Sequence, residues 1–163
     1  AALTACAYGP VADGAASSAQ QPLVQRVADW DSAADVSVQT LLSTLQQSGV
    51  PRTTPVYLQP QAHMSTFDHG WHELLTTKLV QSGVPVRLHP EQAAITMTYH
   101  ADWIEHPGAS HHELMLNTSA QQAGQYVARQ TLLFYVADRD SAWFTPSMNS
   151  LLYPITTLQV VGP

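Results

Sequence analysis

The sequence predicts an α/β domain of the α+β kind, a mixed sheet of about five strands with two to three helices, in which a βαβ unit is followed by an antiparallel meander. Three observations carry that expectation. Two helical apolar periodicities end in the same pentapeptide, Gln47-Ser48-Gly49-Val50-Pro51 and Gln81-Ser82-Gly83-Val84-Pro85. Short apolar runs stand on both sides of the second periodicity, which reads as strand, helix, strand with the strands parallel. Longer runs with alternating or strand-forming residues then follow, the pattern of strands half-buried on one face.

Each element has its own signal. Residues 7–22 are rich in Ala, Gly, Ser, Gln and Pro and form a flexible spacer. A first helix is marked by Val38, Leu41, Leu42 and Leu45 at i, i+3, i+4 and i+7, stopped by Gly49 and Pro51. The proline-bounded run at 55–59 is a strand. The second helix takes Ser65 or Thr66 as its cap and Asp68 in its first turn, with Phe67, Trp71, Leu74, Leu75 and Leu79 along one face. In both repeated pentapeptides glycine stands where a left-handed residue ends a helix, and proline where a helix cannot continue. No third copy exists, so shared capping chemistry explains the match better than a helical repeat.

Residues 84–88 make the second parallel strand. Strands at 93–104, 113–118 and 125–138 form the meander, with Pro107-Gly108 turning between the first two. In the last, Tyr126, Ala128, Leu132, Phe134 and Val136 are expected on one face. A third helix is placed at 146–152. Residues 155–161 carry no charge and form a strand or extended arm that either pairs within the sheet or adds to another chain.

Composition narrows the function. Charged residues are 11% of the chain, less than half the usual share of about 25%, and uncharged polarity of this kind fits an exported protein. A net charge of −6 with six scattered Lys and Arg argues against nucleic acid, which needs a clustered basic face. No run of roughly 18 apolar residues is present, so membrane attachment is expected through lipid alone. One cysteine, Cys6, excludes a disulfide within the chain.

Leu3-Thr4-Ala5-Cys6 resembles the bacterial lipobox, in which the cysteine is acylated and becomes the mature amino terminus. That resemblance implies a signal-peptide remnant at 1–5, a lipidated tether at 6–22 and a single domain at 23–163. Ala7 follows the cysteine in place of the aspartate associated with inner-membrane retention, which implies an outer-membrane anchor. From about 38 to 138 the order of helix, strand, helix, strand and meander resembles the TolB amino-terminal-like domain of envelope lipoproteins. The implied activity is binding, with no catalytic residues to transfer. The chain departs from that pattern after its first strand, where Gln59-Pro60-Gln61-Ala62-His63 replaces an acidic or asparagine-bearing turn.

Among chemistry-bearing residues, His69, His72 and Glu73 are the densest group on a helix, and histidines three apart can share a metal. Their spacing is not that of H-E-x-x-H zinc proteases, and a surface role is the alternative. His106 with His111-His112-Glu113 flanks the Pro-Gly turn, where solvated histidines are common. Asp138-Arg139-Asp140 reads as a turn. No nucleophile motif or phosphate loop is found, and no cofactor is expected. The aromatic residues Trp30, Trp103, Trp143 and Phe144 lie near element ends, where rings form contact surfaces. Trp30 is expected to be exposed because Asp29 and Asp31 flank it.

The expected function is therefore a non-catalytic outer-membrane lipoprotein that binds a protein partner in the cell envelope, through Trp30, Trp143, Phe144, Ile155, Leu158 and Val160. The alternatives are a metal-dependent periplasmic enzyme or metal carrier using His69, His72 and Glu73, and a subunit that self-assembles through its carboxy-terminal arm.

Overall fold

The structure, a computed structural model, describes residues 23–24, 27–108 and 110–144. Cys6 and its tether, the expected helix at 146–152 and the arm with Ile155, Leu158 and Val160 lie outside the described residues.

Two helices, α1 (Val27–Gln47) and α2 (Thr66–Gln81), cover one face of a sheet built from β1 (Leu23–Val24), β2 (Val56–Leu58), β3 (Val86–Arg87), β4 (Ile95–Ile104), β5 (His111–Gln122) and β6 (Gln125–Ala137). The strand order is β1-β6-β5-β4-β2-β3. β2 and β3 are the parallel pair joined through α2, with Val56 opposite Val86. β4 takes the other side of β2, again parallel, with Val56 opposite Ile95. β4, β5 and β6 then form the antiparallel meander. Short 3-10 helices at Pro90–Gln92 and Asp138–Phe144 precede β4 and follow β6.

α1 begins eleven residues before Val38, the first residue of its sequence signal (38 − 27 = 11). Trp30, Ala33, Ala34 and Ser37 extend the same buried stripe, but alanine and serine weaken its apolar signature. α2 opens with a capping box: Ser65 Oγ accepts the Asp68 N–H at 3.1 Å, and Asp68 Oδ2 accepts the Ser65 N–H at 2.9 Å. The twin pentapeptides close both helices alike. Gly49 and Gly83 have φ of +81° and +78°. Val50 N–H reaches the Leu45 carbonyl at 2.8 Å and Gly49 N–H the Gln46 carbonyl at 3.0 Å; Val84 and Gly83 repeat this on Leu79 and Val80 at 3.0 Å each. This is the Schellman motif, and it uses the Val84 amide, so β3 starts only at Val86.

β5 is longer than its apolar signal, because the backbone of polar Ser119 and Gln121 pairs on both sides, with β4 and β6. One face of the meander is buried through Ile95, Met97 and Tyr99 of β4, Leu114, Leu116, Thr118 and Ala120 of β5, and Ala128, Phe134 and Val136 of β6. With Val38, Leu41, Leu42 and Leu45 of α1 and Phe67, Trp71, Leu75 and Leu79 of α2 they form a single core. Tyr126 does not join that face. A bulge sets Ala128 opposite Ala120 but Tyr126 opposite Gln121, which turns Tyr126 to the other side, 63% exposed. Its ring there lies 5.8 Å from the Arg129 guanidinium.

Candidate functional site: an aromatic pocket between the helix starts

The aromatic residues stand on five separate elements, and packing brings them together. Trp30, near the start of α1, has Phe67 at 4.8 Å, Phe134 at 5.5 Å, Phe144 at 6.0 Å and Trp71 at 6.2 Å, all edge-on. Phe144 also lies 4.9 Å from Phe67 and stacks on Trp103 at 5.2 Å. Edge-to-face arrangements of this kind let each ring's positive rim meet its neighbour's negative face.

The cluster floors a pocket of about 270 Å³ lined by Val27, Trp30, Thr66, Phe67, Gly70, Trp71, Leu74 and Trp143. Among the described residues of this wall the polar side-chain groups are the Thr66 hydroxyl and the indole N–H groups of Trp30, Trp71 and Trp143, and none is ionisable. Gly70 widens the pocket, since the space where its Cβ would stand is open to 4 Å. At the rim Trp143 is 39% exposed and Val27 67% exposed. A volume at the small end of ligand cavities, which start at about 300 Å³, suits two or three apolar side chains of a partner. The Nε1 of Trp71 is buried without a hydrogen-bond partner among the described residues.

Trp30 is a correction to the sequence expectation. It is 5% exposed and stands in the core, with only part of its ring reaching the pocket wall. Its acidic neighbours do not prevent burial, because adjacent helical residues point about 100° apart. Asp31 turns instead toward α2, where its Oδ1 meets Lys78 Nζ at 2.9 Å. Trp143 and Phe144 do join Trp30, so three of the expected contact residues share one place. Phe67, Trp71 and Leu74 were legible only as a helix face, and nothing in their spacing distinguishes a pocket wall from sealed core.

The histidine groups lie outside this pocket wall. His69 and Glu73 are exposed, while His72 is half-buried with Nδ1 unpartnered and its ring 6.0 Å from Tyr99. Burial lowers the His72 pKa from its ordinary 6.5, Glu73 opposes that shift and His69 adds to it. Among the described residues no three His, Cys, Asp or Glu side chains converge as a metal-ligand set. Tyr99 donates its hydroxyl to the Asp68 carbonyl at 3.1 Å, and burial, then the nearby Asp68, pushes its phenol far above the ordinary 10.

Around the Pro-Gly turn, His106 Nε2 meets Glu113 at 3.1 Å and His112 Nε2 meets Asp138 at 3.0 Å. On the open face of the sheet a polar chain crosses three strands. Thr131 donates to Asn117 at 2.6 Å, Asn117 to Asp102 at 3.3 Å, and His100 Nε2 lies 2.9 Å from Asp102. Among the described residues no helix is long and apolar enough to cross a membrane. Compared with known proteins, the chain matches no protein-family model, no curated protein and no solved structure.

Proposed function

We propose that this chain is a non-catalytic lipoprotein of the bacterial cell envelope, anchored to the outer membrane by lipid on Cys6, whose α/β domain binds a protein partner in its aromatic pocket. The observation that supports this reading most is the composition of the pocket wall: among the described residues it has six largely apolar side chains, one glycine and one threonine, with a partly exposed tryptophan at the rim. Such a wall recognises apolar side chains by shape and burial, and partly exposed tryptophans are common anchors of protein interfaces. Among the described residues it presents no base, activated nucleophile or ligand set. The lipobox resemblance at residues 3–6 and the TolB-like element order supply the envelope context of the proposal.

The test fills the pocket without unfolding the domain. Gly70→Leu adds a side chain where nothing lies within 4 Å, and replacing a mid-helix glycine favours the helix by roughly 0.5–1 kcal/mol. A photo-crosslinking residue at position 143 should capture a protein in envelope-producing cells, and Gly70→Leu should abolish capture while leaving thermal stability intact or raised. Capture that survives Gly70→Leu, or that occurs equally from Thr98 on the open sheet face, would overturn the pocket assignment. Separately, Cys6→Ser should move the protein from the membrane to the soluble fraction and end acyl labelling; unchanged fractionation would refute the anchor.

A further inference from the structure

Two segments of the chain meet at one buried imidazole. His112 takes the backbone N–H of His106, in the β4–β5 turn, on its Nδ1 at 3.0 Å. Its Nε2 lies 3.0 Å from Asp138 Oδ1, where the closing 3-10 helix begins. An amide N–H only donates, so Nδ1 is an acceptor and the ring is neutral with its proton on Nε2. Both nitrogens are thus occupied. A further proton has one place to go, the Nδ1 lone pair that the His106 amide already uses.

The surroundings act on that second proton in both directions. Asp138 favours an imidazolium, since a charge-assisted bond from Nε2–H to a carboxylate is stronger than a neutral one. Trp103, with its ring 5.1 Å from that of His112, favours a cation as well. Burial and the bond from the His106 amide oppose it. The remaining charged or titratable side chains on the elements around His112 have other partners or face solvent. His106 Nε2 meets Glu113 at 3.1 Å, His111 packs on Tyr135 at 4.8 Å, Arg139 Nε lies 3.8 Å from Asp140, and Glu105 is exposed. From β6 the residue opposite His112 is Val136, which carries no charge.

We propose that His112 is a pH-sensitive switch for the β4–β5 turn: a proton taken from water onto Nδ1 breaks the bond to the His106 amide and releases the turn, while Nε2–H stays on Asp138 and keeps the closing helix in place. The neutral ring holds two segments and the charged ring holds one. Acidification therefore acts on the turn around Pro107-Gly108 alone, whereas loss of the whole imidazole would free the closing helix too. The device is read on the protein by itself, and neither its success nor its failure bears on partner capture in the pocket.

Nuclear magnetic resonance on the full chain tests it. Long-range nitrogen–proton spectra of the imidazoles should show His112 as the Nε2–H form at pH 7.5 and doubly protonated on acidification, before the domain unfolds. Over the same step the protection of the His106 amide against hydrogen exchange, corrected for the pH dependence of the intrinsic rate, should fall about tenfold or more, with residues 138–144 and 95–99 unchanged. His112→Asn, which keeps an acceptor at the δ position and cannot titrate, should remove the step. His106→Gln, which keeps the amide and loses only the side-chain titration, should leave it in place. A His112 ring that stays neutral until the domain unfolds, or a His106 amide whose protection does not follow the ring, would overturn the proposal on the parent protein alone. So would a step that survives His112→Asn or vanishes in His106→Gln, which would assign it to the His106–Glu113 pair.

Discussion

His112 gives its Nε2–H to Asp138 at 3.0 Å and accepts the backbone N–H of His106 on Nδ1 at 3.0 Å. Because a backbone amide can only donate, Nδ1 is the acceptor and the neutral ring carries its proton on Nε2. One side chain, 8% exposed, therefore ties the β4–β5 turn to the start of the closing 3-10 helix, with Trp103 packed against it at 5.1 Å. That latch also holds the segment carrying Trp143 and Phe144 over the pocket.

His112→Ala removes both hydrogen bonds and a buried ring, and should destabilise the domain by about 2–3 kcal/mol. It should also loosen the 3-10 helix, seen as faster exchange of the residue 138–144 amides. Urea unfolding within about 0.5 kcal/mol of the parent would refute the latch.

His72 makes stability depend on pH. Its folded form takes a proton less readily than the unfolded chain, whose imidazole titrates near 6.5. Between those two values the unfolded state binds more protons, so the contribution is whole above about pH 7 and falls as pH drops through 6.5 toward the lower folded value. His72→Leu should shrink the loss of stability between pH 7.5 and 5.5, measured by urea titration at each pH. An identical loss in the variant would rule His72 out.

Ser65 is 1% exposed and supplies both halves of the capping box of α2. Ser65→Ala should cost about 1 kcal/mol, and Ser65→Asp, which restores an acceptor, should recover part of it. Denaturation midpoints of the three proteins decide the matter.

Ala123 turns the β5–β6 hairpin with φ of +50°, a left-handed conformation that a side chain resists. Ala123→Asn supplies the residue favoured in such a two-residue turn and should stabilise the domain by about 0.5–1 kcal/mol. A lower unfolding midpoint would mean that the turn is held by other contacts.

The elements were legible where local physics decides them. The i, i+3, i+4, i+7 leucines of α1, Ser65 with Asp68, and the glycine of each pentapeptide act within a turn or two of the chain, and all three behave in the fold as their spacing implies. Alternation likewise marked Ile95, Met97 and Tyr99 as one face of β4. Where long-range pairing decides, the reading erred. Tyr126 left its expected face because of a bulge in β6, where Val127 is the extra residue in the pairing with β5, and the polar end of β5 gained strand structure from neighbours on both sides.

By itself the sequence determined two helices with their caps, a parallel unit, a meander, and a set of aromatic residues at element ends, because capping, periodicity and alternation are properties of neighbouring residues. Only the tertiary structure decided what those aromatics do. Trp30 was expected in solvent beside two carboxylates, but helix geometry sends Asp31 to Lys78 and the indole inward, where Phe67, Phe134 and Phe144 arrive from three other elements. The pocket exists because side chains far apart in the chain stop just short of filling the space beside Gly70. Shape of that kind is a sum over long-range packing, and no local pattern in the residues encodes it.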